Sequence, residues 1–227
     1  MKEIVWTNLG LVEFEEADRL QKRIRDVKIE KGGPEVFLFL EHPAIITSGR
    51  REQPDDLTCD ACILDERKIE MIRTDRGGGY TVHNPGQLVC YVILEVAKWG
   101  GTKGVINTLE ELMIRVLASY SVSASRKKDH PGAWVGDERI GFIGLSIKKG
   151  VTAHGLAFNV TNSLVPFSFI IPCGVRDKEV TSLKKITGKS YSLRDVRDRM
   201  LVYLEDITGA VPKFVETGEL IRERQGA

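Results

Sequence analysis

The chain of 227 residues is 42% hydrophobic and 29% charged, the balance of an ordinary soluble globular protein long enough to bury one substantial core. Lys+Arg 33 against Asp+Glu 32 leaves no bulk charge to support nucleic-acid binding, and no apolar run reaches the roughly 20 residues a membrane helix needs. The first residues run into a strand-like pattern with no signal-peptide core, and four cysteines (Cys59, Cys62, Cys90 and Cys173) are too sparse for a disulfide scaffold. A cytoplasmic chain with reduced thiols is expected.

Met1 to Leu9 reads as a strand. Glu13 to Lys31 reads as an amphipathic helix, with Phe14, Ala17, Leu20, Ile24 and Val27 close to helical spacing. Gly32-Gly33-Pro34 ends that helix, and Glu35 to Leu40 is a compact apolar strand. Glu41-His42-Pro43 opens a loop leading to Ile45-Ile46-Thr47, residues 50 to 62 are polar and turn-like, and Ile69 to Arg73 is a further strand. A glycine-rich loop follows, then a buried strand from Leu88 to Leu94. Asn107 to Ser119 is helical, with Leu109, Leu112, Met113, Val116 and Leu117 on one face. Ala133 to Val135 and Ile140 to Ile147 form a hairpin turned by Gly136-Asp137, and Gly155 to Val160 is another strand. Ser192 to Asp206 is helical and falls in a C-terminal tail of about 190–227. The class is α+β: a mixed sheet flanked by helices, in one domain spanning 1–227.

Two stretches carry chemistry. The run Arg76-Gly77-Gly78-Gly79-Tyr80-Thr81-Val82-His83 offers backbone amides unshielded by side chains, able to approach an acyl chain or an anionic oxygen. It matches no standard nucleotide motif. The second stretch, Pro172-Cys173-Gly174, follows His154-Gly155-Leu156-Ala157-Phe158-Asn159-Val160. A thiol beside glycine can hold an acyl group as a thioester once its pKa is depressed. Cys59-Asp60-Ala61-Cys62 lacks partner ligands for zinc and reads as incidental, and Cys90 reads as core. Of the histidines, His83 and His154 adjoin glycine-containing segments, whereas His42 and His130 read as hydrogen-bonded structural residues. No metal-ligating cluster is evident. Lys148-Lys149 and Lys184-Lys185 read as solvated charges.

In order along the chain, Glu41-His42-Pro43 with Gly49-Arg50, then RGGGYTVHNPGQL at 76–88, GAWV at 132–135, IGFIGLSI at 140–147, HGLAFNV at 154–160 and PCG at 172–174 resemble the octanoyltransferase family of lipoate biosynthesis, grouped with the biotin/lipoate protein ligases. The resemblance covers about Phe37 to Leu183. It implies a ping-pong transfer of octanoyl from octanoyl-acyl carrier protein onto Cys173, then onto a lysine of a lipoyl domain. The acceptors it suggests are glycine-cleavage H protein and the dehydrogenase E2 subunits. By position, residues 76–83, Phe142-Ile143-Gly144, and His154 with Gly155-Leu156-Ala157 would bind the octanoyl chain. No cofactor is implied, because the thioester is already activated, and a monomer is expected.

The chain departs from the family at Arg139, where a lysine normally precedes the strand and tunes the thiol. Arginine can stabilise a thiolate but stays protonated, so His83, His154 or water would take the proton from the acceptor amine. Glu138 is placed to pair with Arg139. Asn84 and Gly79 also depart from the usual residues and bear on acyl-chain preference. The alternatives are a catalytically impaired acyl- or carrier-binding homologue, motivated by Arg139, and an ATP-dependent ligase of the same fold.

Overall fold

The computed structural model describes residues 3–59, 61–171 and 179–220. Strands β1 (Ile4–Leu11), β2 (Glu35–Glu41), β6 (Gln87–Ile93), β7 (Ser125–Lys127), β8 (His130–Val135), β9 (Glu138–Lys148), β10 (Val151–Asn159) and β11 (Lys213–Phe214) make one sheet in the order β11-β1-β2-β6-β10-β9-β8-β7. β1 runs parallel to both β2 and β11, and the other pairings are antiparallel, so the sheet is mixed. A second sheet of three strands, β4 (Glu70–Arg73), β3 (Ile45–Ser48) and β5 (Tyr80–His83), takes the order β4-β3-β5. The helices are α1 (Phe14–Lys31), α2 (Ala61–Glu66), α3 (Gly101–Ala118), α4 (Leu183–Thr187), α5 (Leu193–Thr208) and α6 (Thr217–Leu220). Among the described residues, no helix is long and apolar enough to cross a membrane.

β2 and β6 are buried along nearly their whole length because both faces of the large sheet are covered. Side chains alternate across a strand. Phe37, Phe39, Leu88, Cys90 and Val92 therefore face the core built with α3 and α5, where Leu109, Leu112, Val196 and Met200 meet them. Val36, Leu38, Val89, Tyr91 and Ile93 face the opposite core with Phe14 and Ala17 of α1 and Ile46 and Val82 of the small sheet. Cys90 belongs to the first core, and burial pushes its thiol far above the ordinary value.

Several elements differ from the sequence expectation, each for a local reason. α3 starts six residues earlier than Asn107. Gly104 lies so close to the Trp99 carbonyl that a Cβ would sit 1.7 Å from its oxygen, so this glycine is a packing residue inside a helix and not a break. β10 begins at Val151, since Lys149 and Gly150 both have positive φ (47° and 79°) and turn the chain in two residues. The polar stretch at 50–62 holds a 3-10 turn, Pro54–Asp56, and the start of α2. In the C-terminal segment, α5 is capped by Ser192, whose hydroxyl accepts from the Asp195 amide at 3.1 Å. α5 packs into the first core, and β11 joins the edge of the large sheet.

Candidate active site

Between the large sheet, α1 and β5 lies a narrow cavity. Its floor crosses β9, β10 and β6, which are neighbours in the sheet. Phe142, Leu156, Ala157 and Val89 give it apolar walls, and Phe14 and Tyr91 border it beside β6. Of the residues singled out from the sequence, Arg76, Thr81, His83, Phe142, Ile143, Gly144, His154, Gly155, Leu156 and Ala157 line it together.

The remainder of the glycine stretch is placed elsewhere. Residues 80–83 form a strand and not a loop, so Thr81 and His83 face the cavity while Tyr80 and Val82 are buried without lining it. Gly77, Gly78 and Gly79 line a separate open groove, together with Arg50, Arg51 and Arg139. Cavity and groove meet at Ile143 and Gly144, which border both. The loop needs its small residues: a Cβ on Gly49 would lie 2.4 Å from the Gly78 oxygen, and one on Gly144 would lie 3.1 Å from Arg76 Cδ. The Arg76 guanidinium is committed to the loop, donating through Nη2 to the Thr47 carbonyl at 2.6 Å and through Nη1 to the Gly77 carbonyl at 3.2 Å. The buried hydroxyl of Thr81 has no hydrogen-bond partner among the described residues.

The two cavity histidines are wired differently. Gln21 holds His154 twice, accepting its backbone N–H at 2.6 Å and approaching Nδ1 with its amide nitrogen at 3.2 Å. An amide nitrogen only donates, so in the neutral ring Nδ1 accepts and Nε2 carries the hydrogen, which it gives to Asp75 at 2.8 Å. This clamp also holds His154 at φ 60°, a left-handed conformation unusual within a strand. The bond from His154, with Lys22 and Ser146 nearby, keeps the Asp75 carboxyl well below the usual carboxylate range. Ligand atoms of Asp18, Asp75 and His154 lie within 4.8 Å of one another. Their charge is answered by Lys22, 2.6 Å from Asp18, and Arg25, 3.7 Å from Asp75.

His83 Nδ1 lies 2.7 Å from Gln87 Oε1, whose own amide nitrogen is spent on Val82 O and Asn159 Oδ1. The His83 hydrogen therefore sits on Nδ1, and its Nε2 makes no hydrogen bond among the described residues. Burial, with the charges of His42 and Arg76 adding to it, lowers the His83 pKa to about 3. His42 lies beneath it with ring centroids 5.6 Å apart. Its Nδ1 donates to the Val12 carbonyl at 2.7 Å, and its Nε2 accepts from the Tyr91 hydroxyl at 2.8 Å. His42 is thus hydrogen-bonded on both sides, and burial lowers its pKa to about 4.

Arg139 lies in the groove, 4% exposed. Its Nη2 donates to the Pro131 carbonyl at 2.5 Å, and its guanidinium lies 4.5 Å over the Phe142 ring and 5.4 Å over that of Trp134. Glu138 does not pair with it as expected from adjacency, because neighbours in a strand point to opposite faces; Glu138 reaches Lys185 at 2.6 Å. Lys185 is therefore ion-paired, not simply solvated, as is Lys148 with Asp26 at 2.8 Å. Asn84 is buried and bonded to Ser163 and Asn162, away from the cavity lining. Cys173 lies outside the described residues. On either side of it, the Ile171 N–H donates to the Asp56 carbonyl at 2.7 Å and the Arg139 N–H to the Glu179 carbonyl at 2.8 Å. Asp56 and Arg139 both border the groove.

Phe14, Val89, Tyr91, Gln21 and Asp75 are site residues that the sequence reading missed. The alternation in Leu88 to Leu94 was the available signal for Val89 and Tyr91. Nothing local marks Gln21, 133 residues from His154.

The mixed sheet with its flanking helices shares its fold with solved lipoate–protein ligases. A lipoate-protein ligase A bound with ATP superposes with a TM-score of 0.74 at 14% identity, covering 97% of this chain and 92% of that one. The bipartite lipoate protein ligase of Thermoplasma acidophilum gives 0.69 at 15% identity, covering 98% and 91%. The family model for the lipoyl protein ligase A/B catalytic domain matches residues 14–205. Octanoyltransferases from Alkaliphilus metalliredigens and Caldicellulosiruptor bescii are 36% and 39% identical, each over 88% of this chain and over 93% and 90% of their own lengths. The chain belongs to the lipoyl protein ligase A/B catalytic-domain family, and within it to the octanoyltransferases.

Proposed function

We propose that the protein moves an octanoyl group from octanoyl-acyl carrier protein to a lysine ε-amine of a lipoyl domain, through a thioester on Cys173. The observation that carries the octanoyl assignment is the cavity. At a strand spacing of roughly 4.8 Å, the path from β9 across β10 to β6 is about 10 Å, the length of an extended eight-carbon acyl chain. Phe14 and Tyr91 stand at the β6 end of that path.

In the first half-reaction the Cys173 thiolate attacks the thioester carbonyl, and the carrier leaves as a thiolate that takes up a proton. In the second, the acceptor amine attacks the enzyme thioester, the Cys173 sulfur leaves, and the new amide nitrogen gives up a proton. Arg139 lends positive charge beside the groove but stays protonated. His154 has both ring nitrogens engaged, and His83 lies against Phe14 with its pKa lowered to about 3 by burial, so water in the groove is the acceptor for that proton. The acceptors in this reading are glycine-cleavage H protein and dehydrogenase E2 lipoyl domains.

The test is intact-protein mass after incubation with octanoyl-acyl carrier protein, beside a Cys173→Ala control. One added octanoyl group, absent from the variant, is expected. A wild-type protein that binds octanoate yet never gains mass would replace this reading with an acyl-binding role caused by the Arg139 exchange.

A further inference from the structure

Two arginines at the groove rim have no role in the fold or in the reaction described so far. Arg50 and Arg51 are exposed and make no ion pair among the described residues, unlike Lys148, Lys185 and Arg73, each of which has a carboxylate. Their backbone is fixed: Arg50 N–H donates to the Arg76 carbonyl at 3.0 Å and Arg51 N–H to the Gly78 carbonyl at 2.9 Å. The same loop is bonded to β9, with Gly77 N–H donating to the Leu145 carbonyl at 2.9 Å. The arginines thus stand two hydrogen-bonded backbone steps from the junction at Gly144, about 10 Å at strand spacing, and their own side chains extend the reach.

We propose that Arg50 and Arg51 bind the phosphate of the donor's phosphopantetheine arm, with the arm lying along the groove and its acyl chain in the cavity. This rests on the donor reading above. A thioester at the mouth of the cavity must leave the rest of its carrier in the groove, because Ile143 and Gly144 border both spaces. Pantetheine, with its two amide links, is about four residues long. At roughly 3.5 Å per residue it extends some 14 Å, enough to carry a phosphate from the junction to the arginine pair. Paired guanidinium groups are suited to a phosphate through charge-assisted, forked hydrogen bonds. Asp56 and Asp129 also border the groove, but three arginines (Arg50, Arg51 and Arg139) outweigh them.

The experiment compares octanoyl-pantetheine, octanoyl-phosphopantetheine and octanoyl-acyl carrier protein as donors, on the wild type and on an Arg50→Ala/Arg51→Ala variant. In the wild type, the phosphate should raise kcat/KM by at least about tenfold, as expected for hydrogen bonds to charged groups. The variant should lose that advantage while using octanoyl-pantetheine at the wild-type rate, and Arg50→Lys/Arg51→Lys should recover part of it. A phosphate advantage that is absent from the wild type, or that survives in the double variant, would overturn the assignment. So would a loss confined to the carrier-protein donor, which would place the arginines against the carrier's surface. If no donor acylates the wild type, the donor reading itself falls, an outcome separate from either of these.

Discussion

The inner cavity is walled by side chains from α1, β5, β6, β9 and β10, and Gln21, Asp75 and Gln87 hold its two histidines. The groove is edged by a glycine loop and three arginines, two of which meet no carboxylate among the described residues. The two spaces touch at Ile143 and Gly144 yet solve different problems. Burial in the cavity disfavours charge on His83, whereas an open groove can keep permanent positive charge because water solvates it. Chemistry between an apolar chain and a charged carrier needs both conditions within one strand's width.

The sharpest way to break that contrast is acid. His42 and His83 are lowered by burial from 6.5 to about 4 and about 3, so between these values and 6.5 the unfolded chain binds protons that the fold refuses. Stability is therefore fully present above pH 6.5 and is lost as the pH falls, with a total on the order of a few kcal/mol by pH 4.5. Arginine does not titrate here, so the groove's arginines contribute nothing to the slope. Urea unfolding midpoints across this range should fall with pH in the wild type and fall less steeply in His83→Gln. Parallel slopes would mean that the His83 ring is charged, or accessible to water, in the native cavity.

Much of this contrast was legible in the residues, and the part that was not has physical causes. The apolar strands, the glycine loop, the hairpin and the cavity-facing stretch 154–157 announce themselves by local pattern. Residues 76–83 read as one ligand loop because the glycines at 77–79 mask a strand of only four residues after them, and strand alternation divides that strand into cavity and core positions. Gln21, Asp75 and Phe14 take their roles from α1 packing across the sheet, a contact that no local pattern encodes. Cys173, which only the family resemblance singles out as the nucleophile, lies outside the described residues.

A second test sharpens the inner wall alone. Phe14 is 4% exposed at the β6 end of the cavity, beside Val89 and Tyr91. Phe14→Leu opens room where the terminal methyl of an octanoyl chain would lie. One or two methylenes are worth about 1–3 kcal/mol each in an apolar pocket, so the kcat/KM ratio of decanoyl to octanoyl donor should rise by about tenfold. Parallel kinetics with both chain lengths decide it, and an unchanged ratio would remove Phe14 as the stop. The variant should leave the advantage of a phosphorylated donor intact, since that belongs to the groove.

The smallest effect expected is at Arg139, a groove residue that touches the cavity wall through Phe142. Its guanidinium donates to the Pro131 carbonyl and lies over Phe142, whose ring also lines the cavity. Lysine keeps the charge and the cation–π contact but cannot reproduce the forked donation, so Arg139→Lys should cost only about 1 kcal/mol, read as a modest fall in Tm. An ammonium can also release a proton where a guanidinium cannot, so acyl-enzyme formation should be retained or faster, within about threefold. If the lysine variant instead stayed folded but no longer acylated, charge alone would be insufficient. The fixed plane of the guanidinium against Pro131 and Phe142 would then be what shapes the junction between groove and cavity.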